Sequence, residues 1–244
     1  MRNVEGKNPV IELIKNNKEI ELIYLQKGLT GNKIDYILKT AKKRDIKIFW
    51  LSKYKLDQKA VTNNHQGVVA LALDFKKHSL DDILDILSEK QKDPLLLILD
   101  HIQDPHNFGA IIRTAYAAGV DAIIYPKDRA CKVTATVDKV STGAVEYMKL
   151  VEVVNINRVI DDLKERYYWI AGADMDGKKS YYKQDYKGKF ALVVGNEGSG
   201  LNRLTKKKCD FLVKIPMSNE FSSLNVSVAT GIILFEIKRQ RNSI

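Results

Sequence analysis

The chain has 244 residues, 45% of them hydrophobic, which is enough for one large domain or two smaller ones with ordinary buried cores. No apolar run is long enough to cross a bilayer and MRNVEGKNPV at the start lacks signal-peptide character, so a helical membrane protein is excluded and a soluble, cytoplasmic one without a membrane partner is expected. The net charge of +10 is uneven: residues 1–75 carry 14 Lys and Arg against 8 Asp and Glu, a surplus that favours a polyanionic partner through phosphate contacts. Cys131 and Cys209 are far apart, with no CxxC and no His at ligand spacing, and read as reduced thiols rather than a disulfide or metal site.

The first 75 residues alternate helix and strand. Pro9 to Lys15 has helical apolar spacing, Ile20 to Leu25 is strand-like, and Asn32 to Arg44 is an amphipathic helix with Ile34, Ile37, Leu38 and Ala41 on one face. Ile46 to Leu51 and Gly67 to Leu73 are two further strands, separated by a short polar helix or turn at Lys53 to Lys59 and an amide-rich loop holding Asn63, Asn64, His65 and Gln66. The pattern predicts a small three-stranded α/β/α unit. His65, alone among amides, reads as a surface or nucleic-acid contact with no chemistry of its own.

Asp74 to Ser79 reads as a hinge. Ser79 with Asp82 resembles a capping box opening a helix from Leu80 to Lys90, stopped by Asp93-Pro94. Leu95 to Leu99 is an unbroken apolar run of the kind found in parallel strands covered on both faces. Asn107 is the expected N-cap of the following helix, with Phe108, Ile111, Ile112 and Ala115 on its core face, Arg113 beside that stripe, and Gly119 at its end. Strand Ala122 to Tyr125, helix Val133 to Thr142, strand Lys149 to Val153, helix Ile156 to Tyr167 and strand Tyr168 to Ala173 continue the alternation. Strand Phe190 to Val194, helix Leu201 to Lys208, strand Phe211 to Ile215 and helix Val226 to Arg241 complete it. Repeated βα units predict a mostly parallel sheet with helices on both sides.

Two loops stand out. Gly195-Asn196-Glu197-Gly198-Ser199-Gly200 places three glycines beside an amide and a carboxylate, so a ligand can approach bare backbone. Pro216 to Leu224 carries Ser222, Ser223 and Asn225 into a helix without any glycine. The two loops are expected at the carboxyl ends of adjacent strands, where open α/β sheets bind ligands.

Three segments together resemble, in order and spacing, motifs 1, 2 and 3 of the SpoU (TrmH-type) RNA 2′-O-ribose methyltransferases of the SPOUT superfamily: NFGAIIRTA at 107–115, LVVGNEGSGL at 192–201 and KIPMSNEFSSLNVSVATGIILFE at 214–236. GKNPV at 6–10 and HQGVVA at 65–70 resemble the L30e-like substrate-binding domain that precedes this catalytic domain in many members. The resemblance implies an RNA-binding domain at 1–75, a linker and connecting helix at 76–91, and a methyltransferase domain at 92–244, an α/β fold whose carboxyl-terminal part forms a deep trefoil knot. It implies S-adenosyl-L-methionine as cofactor, held by backbone matching Gly195, Ile215 and Leu224, with Asn196, Gly200 and Met217 in the surrounding walls. It also implies a homodimer, RNA as substrate, and no metal, because a sulfonium is already an activated leaving group. The catalytic role falls to Arg113, as a base or as an electrostatic clamp on a phosphate and the reacting oxygen, with Asn107 and Glu197 orienting the arginine and ribose and with Ser223 and Asn225 shaping the site. The likeness is greatest to the branch that methylates a guanosine ribose in the peptidyl-transferase region of large-subunit ribosomal RNA. The alternatives are a transfer-RNA 2′-O-methyltransferase and a catalytically silent RNA-binding assembly factor.

Overall fold

The structure is a computed structural model that describes residues 1–62, 64–74, 78–89, 93–196, 198, 200–218 and 223–242. Asn63, Glu197, Ser199 and Ser222, all singled out above, lie outside the described residues. The chain divides into two compact units, Met1–Lys76 with Val133–Tyr147 and Lys77–Lys132 with Met148–Ile244.

The first unit begins with β1 (Arg2–Glu5), α1 (Lys7–Lys15), β2 (Ile20–Gln26), α2 (Asn32–Lys43), β3 (Lys47–Leu51), α3 (Lys53–Asp57) and β4 (Val68–Ala72). Its sheet has four strands in the order β1-β4-β2-β3, one more than the sequence pattern predicts. The additional strand, β1, is the short and mostly polar RNVE, which pairs antiparallel with β4 from Arg2↔Ala72 to Glu5↔Val69. No apolar alternation announces it, because Glu5 is fully buried; its carboxylate accepts hydrogen bonds from the backbone N–H groups of Val61 and Thr62 and from the Thr62 hydroxyl. The core is formed by Val4, Ile23, Leu25, Val68 and Ala70 from the sheet and by Val10, Leu13, Ile34 and Ile37 from α1 and α2. His65 is not a surface group. It is buried, with Nε2 2.7 Å from the Asp57 carboxylate and Nδ1 3.0 Å from the Gly67 N–H, so it fixes the turn into β4.

The second unit contains α4 (Leu80–Ser88), β5 (Leu95–Asp100), α5 (Pro105–Ala118) and β6 (Ala122–Pro126). The helix α6 (Ala135–Val140) belongs to the first unit, and the second resumes with β7 (Leu150–Val153), α7 (Ile156–Glu165), β8 (Trp169–Ala173), β9 (Lys179–Ser180), β10 (Phe190–Gly195), α8 (Arg203–Lys208), β11 (Phe211–Lys214) and α9 (Val226–Asn242). The seven strands run in the order β7-β6-β5-β10-β8-β11-β9, and every recorded pairing is parallel, as the repeated βα pattern predicts. Alternate residues divide between the two faces. Leu96, Ile98, Ile124, Ile170, Ala191 and Val193 join Ile83 and Leu87 of α4 and Ile160 and Leu163 of α7 in one core, while the equally buried Leu97, Leu99, Ile123 and Leu192 point to the other side.

Two expectations for the second unit change. The N-cap of α5 is Asp104, whose carboxylate accepts the Asn107 N–H at 2.8 Å; Asn107 is thus inside the first turn, and Pro105 occupies the position where its missing N–H costs nothing. The strands β10 and β11 are not neighbours, because β8 lies between them and pairs with both. Two short apolar runs of equal quality contain no information about which strand separates them, so the sequence pattern does not point to the loop after β8.

Within the first unit, Arg2 on β1 forms ion pairs with Asp138 on α6 and with Glu146 in the turn that follows it. Both carboxylates are almost fully buried, and Asp138 Oδ1 and Glu146 Oε2 have no hydrogen-bond partner among the described residues. Burial pushes the Asp138 carboxyl from 3.8 up to about 7, with Arg2 opposing the shift and Glu146 adding to it. The folded protein therefore holds this proton through a pH range where the unfolded chain has released it. The stability this contributes is present at low pH and is lost as pH rises from about 4 to about 7. In urea titrations, Asp138→Asn is expected to gain stability relative to the parent protein between pH 5 and pH 7.5; an identical difference at both values would show that Asp138 is ionised throughout.

Candidate active site

The Gly-rich loop after β10 is closed by backbone. Asn196 and Gly200 form a bridge, with the Asn196 N–H donating to Gly200 O at 3.1 Å and the Gly200 N–H to Asn196 O at 2.8 Å. A Cβ on Gly195 would lie 2.2 Å from Gly200 C and O, a contact that only backbone movement could relieve, and Gly200 itself has φ +63°. The Asn196 side chain accepts from the Gly198 N–H at 3.0 Å and donates to His101 O at 3.0 Å, tying this loop to the one after β5. That second loop is anchored by buried Asp100, which accepts the Asn202 N–H at 3.0 Å and lies 2.5 Å from His101 Nδ1.

A cavity of about 380 Å³ opens over the carboxyl ends of β10, β8 and β11. All six residues predicted to surround a cofactor line it: Gly195, Asn196, Gly200, Ile215, Met217 and Leu224. Ser223 lines it too. The remaining predicted residues stand elsewhere. Asn225 precedes α9 and caps it, accepting the Ser227 N–H at 3.0 Å and the Val228 N–H at 3.3 Å, while its Nδ2 donates to Asn107 Oδ1 at 3.0 Å. This pair joins the amino ends of α5 and α9 beside the cavity wall. Arg113 is not on the cavity lining; it is an exposed residue six positions beyond Asn107, or roughly 9 Å along α5, with no hydrogen bond or ion pair recorded among the described residues.

Sequence reasoning missed part of the wall. Asp174, Met175 and Asp176 follow β8, and Lys206 comes from α8. The Lys206 ammonium is 2.9 Å from both carboxylates, which raises its pKa through the hydrogen bonds to Asp174 and Asp176 and holds the Asp176 carboxyl below its usual range. The Asp-Met-Asp-Gly sequence after a predicted strand was the available signal, but it acquires meaning only once β8 is known to be central. The thiols are both free: burial pushes Cys131 up to about 11 and Cys209 up to about 12, and neither touches the cavity. Among the described residues there is no group of three or more His, Cys, Asp or Glu placed to hold a metal.

The fold recurs in known methyltransferases. The crystal structure of the SpoU methyltransferase AviRb from Streptomyces viridochromogenes, in complex with AdoMet, is similar with a TM-score of 0.83 and 26% identity over 99% of this chain and 91% of that one. A TrmH/SpoU tRNA modifying enzyme of A. aeolicus is similar over 66% of this chain and 82% of its own, with a TM-score of 0.57 and 33% identity. The architecture is thus that of the SPOUT methyltransferases. Residues 94–235 match the SpoU rRNA methylase family and residues 3–76 the substrate-binding family of RNA 2′-O ribose methyltransferases. YacO of Bacillus subtilis, a protein of the TrmH tRNA/rRNA methyltransferase family, is 41% identical over 99% of this chain and 96% of its own length. The chain belongs to the SpoU family of S-adenosylmethionine-dependent RNA 2′-O-methyltransferases.

The cavity fits that cofactor in size and chemistry. Its volume is within the usual range for small-ligand clefts; Val194, Ile215, Leu224 and Ile233 offer apolar surface to a purine, and Asn196, Asp174 and Lys206 offer groups for a ribose and a zwitterionic amino acid. The missing side chain at Gly195 lets the Gly200 backbone close against it, which sets the shape of this wall. Gly195→Ala is accordingly expected to weaken S-adenosylmethionine binding at least tenfold, about 1.4 kcal/mol, by calorimetry. An unchanged Kd would remove this loop from the cofactor site.

Proposed function

We propose that the protein methylates the ribose 2′-hydroxyl of a guanosine in the peptidyl-transferase region of large-subunit ribosomal RNA, acting in the cytoplasm as a homodimer. The observation that carries the choice of ribosomal RNA is the dedicated, positively charged amino-terminal unit matching a substrate-binding family over residues 3–76. The likeness to the A. aeolicus tRNA modifying enzyme covers only 66% of the chain. Transfer RNA is the second reading, favoured by the 33% identity to that enzyme.

When bound, S-adenosylmethionine supplies an activated methyl group. The task left to the protein is to align a poor nucleophile and to stabilise the charge that grows on its oxygen as the hydroxyl proton leaves. Backbone at Gly195, Ile215 and Leu224 holds the cofactor, and Asn196, Gly200 and Met217 complete its walls. Arg113, permanently charged, clamps a neighbouring phosphate and the developing alkoxide, while the proton passes to phosphate or water. The Asn107–Asn225 hydrogen bond fixes the helix that carries Arg113, and Ser223 and Glu197 shape the ribose site. Arg113 shares its exposed side of α5 with Tyr116, and α9 exposes Val228 and Phe235 seven residues apart on one face. An apolar face of this kind supports a dimer in which each Arg113 serves a site completed by the partner.

Arg113→Ala is expected to bind S-adenosylmethionine as the parent does and to transfer methyl at least ~100-fold more slowly, the usual cost of one transition-state charge stabiliser. Transfer at the parental rate would remove Arg113 from catalysis. Labelled methyl transfer to unmodified large-subunit ribosomal RNA and to bulk transfer RNA, with the modified ribose mapped, is expected to place label on one guanosine of the ribosomal RNA. Label confined to transfer RNA would overturn that substrate.

A further inference from the structure

The amino-terminal unit carries a surface on β2 and β3 that its fold covers only in part. In the parallel pair β2 and β3, Tyr24 lies opposite Phe49 and Leu22 opposite Lys47. These positions alternate with Ile23 and Leu25, which are fully buried, so Tyr24, Lys47 and Phe49 project from the face turned away from that core. β3 is the last strand of the sheet, and Phe49 is 47% exposed. The Tyr24 and Phe49 rings lie 6.0 Å apart at 42°, and Lys59 Nζ stands 5.9 Å from the Tyr24 centroid. Between residues 47 and 59 there are four lysines and one carboxylate, Asp57, which is engaged by His65. The exposed Phe49 ring, backed by the half-buried Tyr24 and flanked by lysines, matches the two halves of an unpaired nucleotide: the Phe49 ring stacks a base and the lysines attract its phosphates. A protein partner docking through apolar contact would instead have to bury those charges without counterions.

We propose that the outer face of β2 and β3, centred on Tyr24 and Phe49 and flanked by Lys47 and Lys59, is a stacking platform for unpaired bases of the RNA substrate. The inference rests on the RNA-methyltransferase reading and adds where the substrate is held and in what form: single-stranded, recognised by base faces with little sequence preference.

The test is binding of the full chain to a fluorescent single-stranded oligoribonucleotide and to its duplex, followed by anisotropy over a range of salt. The parent protein is expected to prefer the single strand. Phe49→Leu keeps an apolar side chain at a half-exposed position but removes the ring, and is expected to lose roughly tenfold in single-strand affinity with thermal stability unchanged; Phe49→Trp is expected to restore it. Lys47→Gln combined with Lys59→Gln is expected to flatten the dependence of log affinity on log salt by about 1.4, two phosphates' worth for a single strand. Equal affinities for the parent and Phe49→Leu, in a protein that binds and methylates RNA, would overturn the platform alone. A parent protein that neither binds nor methylates any RNA would overturn the platform and the functional reading together. A change in sedimentation on Phe49→Leu with RNA affinity intact would overturn it in favour of contact between copies of this chain.

Discussion

At Gly195 the backbone of one loop end rests against the backbone of the other, so closely that a single methyl group would lie 2.2 Å from the Gly200 carbonyl. The rest of the catalytic unit follows from this contact. It converts a six-residue excursion into a closed loop, bridged through Asn196 and Gly200, and so turns the end of a central strand into one wall of a cleft. Because the bridge is made by main-chain hydrogen bonds, the Asn196 side chain is left for other contacts. Asn196 uses its amide to fasten the neighbouring β5 loop, where buried Asp100 receives the amide of Asn202.

Strand order determines what faces that wall. With β8 between β10 and β11, three loops converge on the cavity, and the β8 loop brings Asp174 and Asp176 to Lys206. The apolar part of the lining is contributed by Ile215, Leu224 and the buried side of α9 at Val226 and Ile233. Charged and apolar surfaces are thus separated within one small volume, which suits a molecule that is a purine at one end and an amino acid at the other. The Asn107–Asn225 hydrogen bond extends the arrangement to α5, so that the amino ends of the helix carrying Arg113 and of the helix lining the cavity are joined.

The amino-terminal unit follows another logic. Its stability involves polar groups in the interior: Glu5 is satisfied by three donors from residues 61 and 62, His65 by Asp57 and Gly67, and Arg2 is shared by two buried carboxylates. Lysines and aromatic rings remain on the outside. Burying paired charge within while exposing unpaired charge without gives a unit whose surface field is directed at polyanions.

The alternation of helix and strand, the parallel sheet and the two chemically unusual loops were legible in the chain, because apolar periodicity and glycine clusters act over a few residues. The runs at 95–99, 122–125 and 190–194 are strands near the predicted bounds, and the residues read as cofactor walls do line one cavity. What lay beyond it were relations between distant segments. RNVE became a strand only because β4 offered it an edge, His65 became a buried bracket only because Asp57 comes within 2.7 Å of it, and Asp104 rather than Asn107 took the cap where the chain turned into α5. The insertion of β8 between β10 and β11, which brought Asp174, Asp176 and Lys206 into the site, was decided by the tertiary structure alone, since lateral strand order depends on how helices pack on both faces of the sheet and leaves no mark on the local pattern of any one strand.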